Sequence, residues 1–249
     1  MLTQYARDNP TGDWVAFREA DSGESYKKVR KLIFSDQGGL CAYCESKVSV
    51  LGKHQQRVEH YHSKSDKSDA NKNWALEWCN VIGVCLGGSD SDKATHPLPI
   101  NLSCDSYKDH LVTKGKVPLA CEGSFLNPLE MATFNLFSFN KGTGELLVDL
   151  DACLQLAGVT NCYGTMAELV EKTIEILNLN CDRLKEQRLE VLKSYNQELT
   201  KARKSNDREW HAKLAGRWFG CVWPSFFSTR RILLGQHAEK YLQQIPYNG

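Results

Sequence analysis

Between Gly38 and His110 the chain concentrates groups that bind metals or move protons. It opens with Cys41-Ala-Tyr-Cys44, continues to Arg57-Val-Glu59-His60-Tyr-His62, passes Trp78-Cys79-Asn80 and closes with Cys85 and Cys104-Asp105. Soft thiolates interleaved with a carboxylate, an imidazole and a carboxamide suggest a scaffold stapled by zinc that presents a second, harder metal centre. That second centre would be catalytic. A single C-x-x-C is weak evidence, since the same spacing serves redox chemistry, so the metal reading rests on ligands found further along.

The elements that must position these groups are partly visible. Residues 13 to 37 carry a helical stripe in which Trp14, Phe17, Tyr26, Val29, Leu32 and Ile33 recur at helical spacing, and Gly38-Gly39 ends it. Lys47 to Leu51 and Gln56 to Tyr61 alternate like strands around a glycine-containing turn, which predicts a hairpin carrying Glu59 and His60 on its second arm. Ser63 to Lys72 is a polar loop, and Trp78 to Cys85 is expected as a short apolar helix or turn.

These residues resemble the HNH endonucleases, the ββα-metal nucleases. The surrounding phrases Gly39-Leu-Cys-Ala-Tyr-Cys-Glu45, Glu59-His-Tyr-x-Ser-Lys-Ser65, Trp78-Cys-Asn80, Leu126-Asn-Pro-Leu-Glu130 and Thr173-Ile-Glu-Ile-Leu-Asn-Leu-Asn180 are similar to the PtuB nucleases of Septu-type and retron-associated antiphage systems. The resemblance runs from about Trp14 into the C-terminal helices. It implies that Cys41, Cys44, Cys85 and Cys104 bind a structural zinc ion. Glu59 and Asp105 would hold a catalytic magnesium or manganese ion, His60 would activate water, and Asn80 would orient that histidine.

Some positions depart from the family pattern. Cys85 is followed by Leu-Gly-Gly88 where a second compact C-x-x-C is usual, so Cys104 must reach the metal across a long loop. Asp105 stands where many members carry His or Asn, and His110 is a rival for that ligand position. His62 replaces the usual proline. With Arg57 and Lys108 it is a candidate phosphate contact. Asn80 and Asp105 could equally serve as helix caps.

Composition bounds the rest. At 249 residues with a net charge of +1, the chain has no global basic field. Basic clusters at Tyr26 to Lys31, Lys201 to Lys204 and Arg230-Arg231 could still make local phosphate patches, although such clusters are more often solvated helix faces. The N-terminus lacks an apolar signal core and no run could span a membrane, so a cytoplasmic protein is expected, in which paired cysteines hold metal. Cys79, Cys121, Cys153, Cys162, Cys181 and Cys221 stand apart and are expected as buried small hydrophobes.

Beyond residue 110 a small hairpin is expected before Val148, followed by helices from Thr165, Asp182 and Asp207 and through Phe226 to Leu242. The reading is an α+β protein. Residues 1–115 form an N-terminal helix and HNH unit, and residues 116–249 form a mainly helical domain for partner or substrate contact. Trp218-Phe219, Trp223 and Phe226-Phe227 would mark a partner surface if exposed. The resemblance implies an endonuclease acting beside an ATPase of the PtuA type, with retron components as further candidates. DNA is the favoured substrate and RNA such as tRNA the alternative. A zinc module that only recruits partners is the non-enzymatic rival. The chain itself has no G-x-x-x-x-G-K-[ST] for nucleotide.

Overall fold

The computed structural model describes residues 1–48, 55–131, 135–156 and 158–245. Its N-terminal part is three helices: α1 (Leu2–Asp8), α2 (Trp14–Glu19) and α3 (Glu24–Asp36). The single helix expected over 13–37 is broken, because Asp21, Ser22 and Gly23 adopt φ of 46°, 60° and 79° and turn the chain back on itself. Most of the expected apolar stripe is buried, in a cluster of Leu2, Trp14, Phe17, Val29, Ile33, Ala75, Leu76 and Val81, whereas Leu32, expected on the same stripe, is exposed. Gly38 and Gly39 end α3 in the left-handed region, as expected.

The unit that carries Glu59 and His60 is built on β1 (Arg57–His60) and β2 (Val81–Val84), paired antiparallel with Glu59 opposite Ile82 and His60 opposite Val81. The hairpin expected between residues 47–51 and 56–61 falls largely on residues outside those described. β1 pairs with a strand that follows it, and Trp78 to Cys85, expected as helix or turn, is a 3-10 turn at Trp78–Asn80 leading into β2. The run Val-Ile-Gly-Val is buried on both faces and so lacks the alternation that marks a half-exposed strand. Of the other expected arm, Lys47 bridges to Leu40, and residues 49–51 lie outside the described residues.

Two contacts seat β2. A Cβ on Gly83 would stand 2.9 Å from the Phe34 ring, so glycine lets α3 lie directly on the strand. The Gln37 amide closes the strand's outer edge, donating to the Leu40 and Gly83 carbonyls at 3.0 and 2.9 Å and accepting from the Gly83 N–H at 2.7 Å. Helix α4 (Cys104–Thr113) then completes the unit.

Next come α5 (Pro128–Met131), the expected hairpin β3 (Phe137–Phe139) and β4 (Leu146–Val148), and α6 (Leu150–Leu154). The helices α7 (Met166–Ile176), α8 (Asp182–Ser205), α9 (Trp210–Phe219), α10 (Phe227–Leu234) and α11 (Gln236–Leu242) follow. Thr165 begins α7 with a capping box to Glu168. The largest core cluster joins Cys41, Ile82, Val84 and Cys104 to Phe125, Leu177, Leu184 and Val191, so the α7 to α8 region packs directly beneath the β1–β2 unit.

Two further expectations are corrected. Phe219, Phe226 and Phe227 are buried, with Trp218 and Trp223 packed against them, so the aromatic surplus is core and marks no partner patch. Cys121, Cys153 and Cys181 are buried as expected, whereas Cys79, Cys162 and Cys221 are exposed.

Because Gln37 supplies three hydrogen bonds to the edge of the β1–β2 unit, Gln37→Leu is expected to lower unfolding stability by about 2 kcal/mol. In urea denaturation this would appear as a lower midpoint at unchanged slope. An unchanged midpoint would show that the strand edge does not depend on the amide.

Candidate metal and nuclease site

The four sequence-selected thiols meet in one place. Cys41 and Cys44 lie in the turn after Leu40, Cys85 follows the last residue of β2, and Cys104 opens α4. Their sulfurs are 3.9 Å apart between Cys41 and Cys104, 3.7 Å between Cys44 and Cys85, and 3.8 Å between Cys85 and Cys104, a cluster that could hold a metal ion.

The long loop that separates Cys104 from Cys85 is drawn shut locally. Gly87 has φ 61°, and a Cβ there would collide with the Ser103 carbonyl oxygen. The Ser103 N–H donates to the Gly87 carbonyl at 2.9 Å, and the Cys104 N–H to the Leu177 carbonyl at 2.8 Å. Cys104 itself is held in the left-handed region, at φ 55°. On the opposite side, Glu45 accepts from the Ser228 N–H and hydroxyl at 2.9 and 2.5 Å, fastening the cysteine turn to the first turn of α10.

The residue after Cys104 is Asp105, and α4 projects Asp105 and Asp109 from the same side, one turn apart. Their carboxylates gather with Glu59 of β1 into a second cluster able to hold a metal ion. Asp109 escaped the sequence reading. Its signal was the i,i+4 spacing from Asp105, visible only once Cys104 is recognised as a helix start. His110, the rival ligand, is not part of this cluster and lies by Tyr107, ring centroids 6.1 Å apart.

Lys108 sits inside the cluster. Its ammonium contacts Glu59, lies 3.9 Å from Asp105 Oδ1 and donates to the His60 carbonyl at 3.1 Å. Burial opposes its charge, yet the Glu59 and Asp105 carboxylates outweigh that penalty and raise its pKa. Burial and the nearby Glu59 charge push Asp105 up to about 7, and burial with Asp105 raises Asp109. Carboxylates in this state are undercompensated, and Asp105 Oδ1 is buried without a hydrogen-bond partner. An added hard cation would satisfy them.

His60 is 3% exposed, with its ring edge on Trp14 at 4.6 Å between centroids. Its Nε2 lies 3.1 Å from the Ala75 carbonyl oxygen. A carbonyl only accepts, so Nε2 carries the proton and Nδ1 the lone pair. Nδ1 is buried and has no hydrogen-bond partner. Burial lowers the His60 pKa to about 4, so the ring is neutral at physiological pH.

Asn80 acts on the backbone next to His60. Its Oδ1 accepts from the His62 N–H at 2.7 Å, and its Nδ2 donates to the His62 and Trp74 carbonyls at 3.0 and 2.8 Å. It therefore fixes the end of β1, while the ring contact that orients His60 is the Ala75 carbonyl.

Of the expected phosphate contacts, Arg57 is exposed, 3.7 Å from Asp105 and 3.2 Å from the Ser106 hydroxyl. The other two need correction. His62 is buried, stacked on Trp74 at 3.8 Å, with one ring nitrogen 2.7 Å from Glu122 and the other 2.8 Å from Asp66, so neither nitrogen is offered to a phosphate. Lys108 is turned inward to the carboxylates, as described above. Two of the basic clusters are also engaged internally: Lys201 pairs with Glu198, Arg230 lies over Trp218, and Arg231 pairs with Glu239.

No family model matches the chain. It is similar to the Escherichia coli protein named "Retron Ec83 putative HNH endonuclease", at 38% identity over 236 residues, covering 94% of this chain and 89% of that protein. Among the described residues, no helix is long and apolar enough to cross a membrane. A buried thiol cluster beside a strand-and-helix acid cluster, in a chain this similar over nearly its whole length, marks it as a member of the HNH endonucleases.

Proposed function

We propose that the protein hydrolyses phosphodiester bonds with His60 as general base, a divalent magnesium or manganese ion held by Glu59 and Asp105 with Asp109, and a structural zinc ion held by Cys41, Cys44, Cys85 and Cys104. The observation that carries this reading is the state of His60: its Nε2 is committed to a carbonyl and its Nδ1 is left as a neutral, unpartnered acceptor. A structural core histidine would have both nitrogens satisfied, as His62 does.

The donor set fits each metal. A tetrahedral zinc site with bonds of about 2.3 Å has sulfur–sulfur edges of about 3.8 Å, close to the observed 3.7 to 3.9 Å. Oxygen ligands suit a hard divalent ion. When bound, that ion supplies charge stabilisation to the phosphate and the leaving oxygen. His60 takes a proton from the attacking water at Nδ1. Asn80 keeps the end of β1 in place, and Arg57 is the exposed cation available to the phosphate.

The retron in the relative's name supports a role in antiphage defence. On the family resemblance we take DNA as the first substrate and tRNA as the alternative, with a PtuA-type ATPase as partner. The near-neutral charge fits a subunit whose affinity for nucleic acid is increased by such a complex.

His60→Ala is expected to lower kcat for metal-dependent cleavage by about 10²- to 10⁴-fold, assayed on plasmid DNA and total tRNA with magnesium or manganese, with and without the ATPase. Wild type and variant equally inert in every combination would leave the recruiting module as the better reading. For the thiol site, Cys85→Ser is expected to reduce bound zinc from about one per chain and to lower the melting temperature. Elemental analysis finding no zinc in the wild type would remove the structural-metal assignment.

A further inference from the structure

We propose that α2 and α3 build a backbone-binding track for a nucleic-acid strand beside the carboxylate cluster, with Arg18 and Arg30 as its phosphate-holding residues. This rests on the endonuclease reading for its purpose and adds a binding site that lies outside the nuclease unit.

A groove of about 360 Å³ runs against the cluster. Glu59, Asp105 and Asp109 contribute its acids. Its other wall comes from the N-terminal helices: Trp14, Arg18, Tyr26 and Arg30, with Arg57 and Lys64 beside them. The pocket adjoining it along α2 and α3 repeats Arg18, Tyr26 and Arg30 and adds Lys27. Arg18 and Arg30 thus line both pockets, while Glu19 shares the second and Lys27 there pairs with Glu24 at 2.6 Å.

The break between α2 and α3 creates this wall. The left-handed residues at 21–23 fold the two helices together, which brings Arg18 and Arg30 to one aromatic ring although they are distant in sequence. Their guanidinium carbons lie 5.3 and 5.6 Å from the Tyr26 ring centroid. The ring gathers the two planar cations at one place, so less side-chain freedom is lost when they engage a phosphate. Tyr26 is itself set by Trp14, with centroids 5.8 Å apart, and the same indole rests on His60. One packed chain of rings thus runs from the base to the arginines.

The segregation of charge also identifies the ligand. An acidic peptide would be attracted by the arginines but repelled by three neighbouring carboxylates. A phosphodiester chain suits both parts, since a divalent ion on the acids would draw in the phosphate to be cut while the arginines hold phosphates further along the strand. With a net charge of only +1, two well-placed arginines can dominate the interaction.

The test is fluorescence anisotropy of the full-length protein with labelled duplex DNA, single-stranded DNA and tRNA. Calcium replaces magnesium, and potassium chloride is varied from about 50 to about 200 mM. R18Q/R30Q is expected to weaken binding by about tenfold or more and to reduce the salt slope by about two for duplex or about 1.4 for a single strand. R18K/R30K should keep most of the salt slope, which separates charge from folding. K193Q/K201Q on α8, away from the groove, should bind as wild type. The steepest loss among the three probes identifies the strand type.

Wild-type affinity and slope in R18Q/R30Q, or no wild-type binding to any of the three, would overturn the proposal. Arginine-dependent binding without metal-dependent cleavage would leave the track standing and remove the nuclease reading.

Discussion

The constraint on which the structure depends is the meeting of four thiols, three buried and Cys85 half-buried, from three separate places in the chain. The turn at Cys41 and Cys44, the end of β2 at Cys85 and the start of α4 at Cys104 share no local structure. Their convergence sets the geometry of the acid cluster, because its residues are placed next to the cysteine positions. Asp105 follows Cys104, and Glu59 sits on the strand paired with the one that delivers Cys85. The staple and the acid site are one device seen from two sides.

The helical C-terminal part has a mechanical relation to that device. Between α7 and α8, Asn178 donates to the Ile100 and Leu102 carbonyls, each at 2.7 Å, and Arg183 donates to the Ser103 hydroxyl at 2.7 Å. The loop that must deliver Cys104 is thus held at its far end. Asn180 binds both backbone groups of Leu146, and buried Arg188 donates to the Gly144 and Leu179 carbonyls at 3.2 and 2.6 Å. Burial brings the Arg188 pKa down to about 10. Such a guanidinium ties loops together through their carbonyls.

Much of this was legible in the sequence where a residue type has only one good use. Clustered cysteines, a Glu-His pair and the helical pattern from Thr165 declared themselves. Strand pairing did not, because Val81 to Val84 is buried on both faces and its periodicity resembles an apolar turn. Asp109 was hidden for a related reason: its partner is one helical turn away, and α4 begins at a left-handed cysteine with no side-chain cap. His62 stood as a candidate phosphate contact, and only the fold shows Asp66, Glu122 and Trp74 closed around it. The Arg18 and Arg30 pairing on Tyr26 depended on a kink that no glycine or proline announces before Gly23.

The electrostatics of the acid cluster make one demand above all. Glu59 and Asp105 are brought close enough to oppose each other's charge, and Lys108 is the ammonium that partly neutralises them. A divalent ion would take over that duty in the working enzyme. Anomalous diffraction from crystals grown with manganese tests this directly. A manganese peak is expected among Glu59, Asp105 and Asp109, with the Lys108 ammonium moved away from Glu59. No peak there at saturating manganese, with Lys108 still bound to Glu59, would contradict it.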